Sequence, residues 1–374
     1  MARATTTAAA QELLEALVAI DSVNPTLVPG GAGEGEIARF VASWLDRHGV
    51  EAGYQELSDG RANVVGRVRG RGGDRTLVLN AHMDTVALGS DGAGLAPRVE
   101  GSQLYGRGSY DMKGGLAATM LAAAAVRRDL AGEVIVAAVA DEEALSIGTE
   151  ALVQQVRADA AILTEPTDLS VAIAHKGFVW LELETTGVAA HGSRYDLGVD
   201  AIARMGPALV GLADLDQRLR AERPPHALLG GPSLHASLIE GGQELSSYPE
   251  RCLLKVERRT VPGETVALVE EQVAAVAGEA SVKTLFAREP LETSSDEPIV
   301  RTLLGEAEAA LGHAPEVIGV SGWMDASLLA AAGMPTVIFG PRGAGAHADV
   351  EWVDLDSVAA CADVVLATAE TFCA

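Results

Sequence analysis

Hydrophobic residues recur along this chain at two periods, and the switches between them divide it. Near the N-terminus, Leu13, Leu14, Leu17, Val18 and Ile20 cluster on one helical face, while Gln11, Glu12 and Glu15 interrupt the apolar stretch. That pattern predicts an amphipathic helix and no signal peptide. Ile37, Phe40, Val41, Trp44 and Leu45 follow the spacing of a second buried stripe, with Gly49 placed to end it. Two β-rich runs come next, at 63–68 and 76–79, and then, after Asp111, a helix through about Arg128. Further strands are expected at 134–139, 160–163 and 335–339. Short, continuously apolar strands alternating with helices predict an α/β class in which the strands are covered on both faces.

Between about Gly177 and Pro290 the texture changes. Residues 178–184 and 251–259 alternate like half-exposed strands, and helices are expected over about 199–220 and 264–277, with a Pro- and Gly-containing loop at 223–232. This predicts a small α+β layer over 177–290, inserted into a larger domain made of 1–176 and 291–374. No internal repeat is visible. At 374 residues, 48% of them hydrophobic, the chain is long and apolar enough for two such cores.

The formal charge of −24, with no run of Lys or Arg, argues against nucleic acid and anionic membranes as partners. The alanine-rich run 116–126 is too short to span a bilayer. Cys252, Cys361 and Cys373 are odd in number and far apart, so neither a disulfide framework nor a thiolate metal site is expected, and a reducing cytoplasm fits best.

Five potential metal ligands stand where strands end. They are His82 in Ala81-His82-Met83-Asp84, Asp111 in Ser109-Tyr110-Asp111-Met112-Lys113-Gly114-Gly115, and Glu143 in Asp141-Glu142-Glu143. Glu165 in Thr164-Glu165-Pro166-Thr167 and His347 in Gly345-Ala346-His347 complete the set. Imidazole nitrogen and carboxylate oxygen suit zinc, with cobalt or manganese as alternatives. Five donors exceed one catalytic ion but serve two if a carboxylate bridges. Three ligand carboxylates against two divalent cations leave a small positive excess, which would acidify a bound water.

Each residue also has a plainer reading. Asp84, two residues beyond His82, can accept its second ring N–H and fix the tautomer, or simply satisfy a loop histidine. Asp111 is either a bridging ligand or the cap of the following helix. Glu142 beside Glu143 is either a general base facing the substrate or part of a charged loop. Arg342 is an anion-binding candidate or one side of a surface salt bridge. His48, His175, His226, His235 and His313 have no ligand-like context.

Taken together, Ala-His-Met-Asp-Thr-Val, Tyr-Gly-Arg-Gly-Ser-Tyr-Asp-Met-Lys-Gly-Gly, Asp-Glu-Glu, Thr-Glu-Pro-Thr and Gly-Ala-His resemble the dinuclear zinc family of acetylornithine deacetylase, succinyl-diaminopimelate desuccinylase, aminoacylase and the glutamate carboxypeptidases. The order and spacing match across nearly the whole chain. The resemblance implies a zinc-hydrolase domain with a central, mostly parallel sheet flanked by helices, and an inserted ferredoxin-like lid that forms a homodimer. It implies two Zn²⁺ per chain, with Asp111 as the bridge, His82 and Glu165 on one ion, and Glu143 and His347 on the other. Glu142 would be the general base and Asp84 would orient His82. In the lid, 187–193 resembles the segment whose histidine, here His191, binds the developing oxyanion, often in the partner subunit. From the residues alone His191 reads as a turn residue. Arg259 in Arg259-Thr260-Val261-Pro262-Gly263 resembles the arginine that holds the substrate carboxylate. The Gly241-Gly242 segment departs from the family pattern, with Ser246 where Asn is usual.

The implied reaction is hydrolysis of small N-acyl amino acids by a hydroxide between the two metals. A dipeptidase or carboxypeptidase would need the same centre, and a catalytically silent metal- or peptide-binding protein is the alternative outside the enzymes.

Overall fold

A computed structural model describes residues 5–73, 75–89, 93–222 and 225–374. Arg223 and Pro224 of the expected loop at 223–232 lie outside the described residues. The chain forms two compact units: Met1–Ile173 with Thr293–Ile318 and Met324–Ala374, and Ala174–Glu292 with Gly319–Trp323.

The first unit is built on a sheet of strands β1 (Glu51–Glu56), β2 (Ala62–Val68), β3 (Thr76–His82), β4 (Glu133–Val139), β5 (Ala160–Leu163) and β6 (Val171–His175), joined by a later strand, Thr336–Ile338. The spatial order is β1-β2-β4-β3-β5, then Thr336–Ile338, then β6. The middle strands β4, β3, β5 and Thr336–Ile338 are parallel, whereas β1, β2 and β6 join antiparallel at the flanks. Central β4 is buried at every position from Val134 to Val139, as a strand covered on both faces must be. Ile135, Ala137 and Val139 face a core that includes Leu152 and Leu329 from helices α4 (Ile147–Gln155) and α8 (Ala326–Ala331). Helices α1 (Thr7–Val18), α3 (Gly114–Ala125) and α9 (Leu355–Phe372) pack on one another, and α3 lies against β3. Helix α2 (Gly35–Arg47) covers β1 and β2 and ends at Gly49, whose φ of +77° is the left-handed turn expected there.

Two features differ from expectation. Strand β1 carries polar residues on both faces and lies at the sheet edge, so no alternation marked it. Helix α3 stops at Ala125 rather than near Arg128 because the chain beyond it is drawn into other bonds. Glu370 accepts the Arg127 amide, and Leu130 and Ala131 accept the amides of Arg71 and Gly73.

The second unit is an antiparallel sheet of β7 (Gly177–Thr186), β8 (Ser233–Gly241), β9 (Arg251–Thr260) and β10 (Ser281–Arg288), in the order β8-β9-β7-β10. Val179, Leu181 and Leu183 alternate into a core shared with Met205 and Leu212 of α5 (Ala201–Glu222) and Val269 and Val273 of α6 (Val266–Ala274). Among the described residues, no helix is long and apolar enough to cross a membrane.

Candidate metal centre

Parallel register brings the ends of the central strands level. His82 on β3 lies opposite Val139 on β4, and Asn80 opposite Leu163 on β5. The residues just beyond, Glu142, Glu143 and Glu165, therefore emerge beside His82 at the carboxyl edge, where loops of open α/β sheets gather ligands. The backbone there is tight. A Cβ on Gly115 would meet the Thr164 carbonyl oxygen at 1.9 Å, and one on Gly340 would meet the Glu165 carbonyl oxygen at 2.1 Å. Glycine at these two positions lets neighbouring segments flank the turn carrying Glu165.

Asp111 divides its two oxygens. Oδ1 lies 3.3 Å from His82 Nε2, and Oδ2 lies 3.4 Å from His347 Nε2. Glu165 Oε1 is 3.5 Å from His82 Nε2, and Glu143 Oε2 is 2.9 Å from His347 Nε2. Two groups able to hold a metal result, His82–Asp111–Glu165 and Asp111–Glu143–His347, each with donor atoms within 4.8 Å of one another. Glu142 Oε2 stands 3.9 Å from His82 Nε2 and belongs to neither.

The electrostatics describe a site short of positive charge. Burial pushes the carboxyls of Glu142 and Glu165 well above their usual range; next, Glu165 repels Glu142, while the repulsion of Glu165 by Asp111 acts against its attraction to His82. Burial raises Glu143 too, against its hydrogen bond to His347. Asp111 moves the other way: burial opposes its charge, but hydrogen bonds from His347 and His82 outweigh it. His82 is raised although burial disfavours its charged form, because Glu165 and then Asp111 favour it. His347 is raised to about 10 by its hydrogen bonds to Asp111 and Glu143. The imidazoles are the ion-pair partners of these carboxylates among the described residues, and Glu143 Oε1 is buried with no hydrogen-bond partner. An orphaned carboxylate oxygen within an imidazole–carboxylate donor set fits divalent metal ions.

A second layer of polar groups, largely unmarked in the sequence, holds this arrangement. Strand β3 ends at His82, so strand alternation no longer aims Asp84. His82 Nδ1 lies 3.0 Å from the Asp84 main-chain carbonyl and 3.5 Å from its carboxylate. That carboxylate accepts the amides of Glu142 at 3.1 Å and Glu143 at 3.2 Å, and the Asn24 side chain at 2.7 Å. Asn24 also donates to Asp141, whose φ of +72° opens the turn bearing Glu142 and Glu143. Arg61 binds Asp141 at 2.9 Å and Glu34 at 2.5 Å, with the side chains of both carboxylates wholly buried. Lys113, buried beside the Asp111 turn, donates to the carbonyls of Leu17 and Ile20 at the end of α1. Of this layer, Asp84 was marked as the partner of His82, and Asp141 and Lys113 stood within recognised motifs; Asn24, Glu34 and Arg61 carried no signal.

The other expected site residues lie elsewhere. Arg342 is exposed, with Nε 3.3 Å from the Asp168 carbonyl. His191 and Arg259 belong to the second unit. There His191 Nδ1 accepts from the Ser193 amide at 3.2 Å, and Gly192 N donates to Ser246 O at 2.6 Å, so these two segments meet. Arg259 is paired with Glu257 at 2.6 Å and lies over the Phe178 ring. His48, His175, His226 and His313 each bond a carbonyl or carboxylate outside the metal groups.

The pattern of peptidase family M20/M25/M40 matches residues 78–371. Acetylornithine deacetylase of Myxococcus xanthus is 30% identical over 96% of each chain. Among solved structures, the aminopeptidase PepT of Bacillus cereus superposes with a TM-score of 0.78 over 98% of each chain at 20% identity. The YXEP protein of Bacillus subtilis, described as a dinuclear metal-binding peptidase, gives a TM-score of 0.74 over 98% of each chain at 15% identity.

Two outcomes follow from the charges. Arg61→Met strands Glu34 and Asp141 without their buried cation, and should cost about 3–5 kcal/mol in urea unfolding of the metal-free protein. A loss below about 1 kcal/mol, the range of exposed pairs, would contradict the network. Metal must also displace the His347 proton, held up to about 10 in the metal-free site. Apparent affinity should therefore fall steadily as pH drops below about 10, including between about pH 8 and pH 6, with proton release in calorimetry across buffers of different ionisation enthalpy. Binding that neither releases protons nor varies with pH would rule this out.

Proposed function

The chain belongs to peptidase family M20/M25/M40, and from that premise we propose that it is a metal-dependent deacylase of small N-acyl amino acids. The observation that carries the reading is the division of the Asp111 oxygens between two donor groups, with Glu142 beside them and outside both. The similarity to an acetylornithine deacetylase over nearly the full length of both chains supports an N-acyl amino acid as substrate.

His82, Asp111 and Glu165 would hold one ion and Asp111, Glu143 and His347 the other, with zinc the best match to imidazole and carboxylate donors and cobalt or manganese as substitutes. When bound, two such ions supply Lewis acidity and compensate the crowded carboxylates. Glu142 is the general base. It takes a proton from the water that attacks the amide carbonyl carbon, and returns it to the nitrogen as the C–N bond breaks, leaving a carboxylate and a free amine. Asp84 holds Glu142 and Glu143 through their amides. His191 is assigned to the carbonyl oxygen as its negative charge develops, and Arg259 to the substrate carboxylate. Arg342 is retained as a second carboxylate contact. We place the protein in the cytoplasm, in keeping with three free, buried cysteines; cell fractionation tests this.

We further propose a homodimer through the second unit. Leu238 and Ile239 on edge strand β8, and Ile202 and Val210 on α5, are exposed apolar residues there. Sedimentation should give twice the chain mass, and a monomer at micromolar concentration would contradict it.

The reaction is tested on zinc-reconstituted protein with acetyl-ornithine, succinyl-diaminopimelate, other acyl amino acids and dipeptides. Turnover is expected on an acyl amino acid; turnover on dipeptides alone would move the assignment to a peptidase. Glu142→Gln should keep its metal and lose at least about a hundredfold in kcat. His191→Ala should also keep its metal and lose kcat, and an unchanged kcat in either variant would remove that residue from the mechanism.

A further inference from the structure

We propose that Arg107 and Glu351 form a buried clamp that sets the second donor group, Asp111–Glu143–His347, in place, acting as positioning residues for the ion held there. This rests on the two-ion reading above.

Asp111 and His347 both ride on turns rather than on strands, and His347 is 58% exposed, so neither is placed by core packing alone. Glu351 supplies what the Asp111 turn lacks. Its carboxylate accepts the amides of Gly108 at 2.8 Å, Tyr110 at 3.0 Å and Asp111 at 2.9 Å. Three main-chain donors converging on one anion fix the direction in which that turn presents the Asp111 side chain. The fourth donor is Arg107 Nη1, 2.7 Å away. Both side chains are almost fully buried, at 4% and 2% exposure, so the pair is shielded from water and salt.

The remaining donors of Arg107 reach two more segments. Nη2 donates to the carbonyl of Ala348, next to His347, at 2.7 Å, and Nε donates to the carbonyl of Ala87, three residues past Asp84, at 2.6 Å. One planar guanidinium thus ties together the segment after His82 and Asp84, the Asp111 turn through Glu351, and the His347 loop. A lysine would keep the charge but could not present this fork in one plane.

The consequence is asymmetric. His82 stands on β3 and Glu165 just past β5, so the first group depends on the clamp mainly through Asp111, and the Ala87 contact lies five residues beyond His82. The second group depends on it through both Asp111 and the backbone beside His347. Loosening the clamp should weaken the second ion far more than the first.

The test titrates cobalt(II) into metal-free wild type, Arg107→Lys and Glu351→Gln, following stoichiometry by equilibrium dialysis and ligand geometry by visible absorption. Wild type should take two ions. Folded variants should bind the first ion within about threefold of wild type and the second roughly ten- to a hundredfold more weakly, with a changed spectrum for that ion alone. A wild type that takes one ion overturns the two-ion reading and the clamp with it. A wild type that takes two, beside a folded Arg107→Lys that matches it or loses both ions equally, overturns the clamp alone. If neither variant folds, hydrogen exchange on metal-free wild type decides. The amides of Gly108, Tyr110 and Asp111 should be protected, and exchange at the rate of an exposed loop would overturn the proposal.

Discussion

Asp111, Glu142, Glu143 and Glu165 bring four carboxylates to the carboxyl end of the parallel strands, where burial penalises each charge and the others repel it. His82 and His347 offset part of that repulsion, but they too are potential ligands and would lose their extra protons to a metal. The donors do not hold themselves together, so their placement must come from the surrounding structure. Level strand ends supply part of it. Buried polar groups behind the donors supply the rest, with Asp84 on the amides of Glu142 and Glu143, and Glu351 on the Asp111 turn.

Such groups are a costly way to build stability, since a buried ion pair roughly offsets its own desolvation. Arg61 with Glu34 and Asp141, and Arg107 with Glu351, are better understood as fixing one geometry than as adding to the folding free energy. A dinuclear centre would require this, because donor atoms displaced by even a fraction of an ångström bind their ions less well. The apolar interior, dense around β4, carries the fold, and the ionic layer determines where the donors stand.

The residues that meet in the two candidate groups stood out in the sequence because they punctuate it. Each follows an apolar strand or stands in a glycine-rich turn, and the family resemblance joined them into one set. Helices α1 and α2 were legible from one-sided stripes. Helix α9 was not, because its polar face is narrow, with Asp356, Asp363 and Glu370 seven apart among residues that are otherwise mostly apolar and buried. Strand β1 was missed for the opposite reason, since its edge position leaves it polar on both faces. The more distant supporting groups escaped. Glu351 lies 240 residues from the Asp111 amide it accepts, and Arg61 lies 27 from Glu34. No local spacing announces such partners. Asp84 was legible as a partner of His82, but its hold on the Glu142–Glu143 turn depends on two segments meeting in space.

The proposed reaction depends on Asp111 serving two ions at once, one through each carboxylate oxygen. A crystal structure of the zinc-reconstituted protein, with anomalous data collected at the zinc edge, tests it most directly. Two anomalous peaks are expected, one within about 2.0–2.2 Å of each Asp111 oxygen. A single peak, or two peaks with both Asp111 oxygens on the same ion, would contradict it.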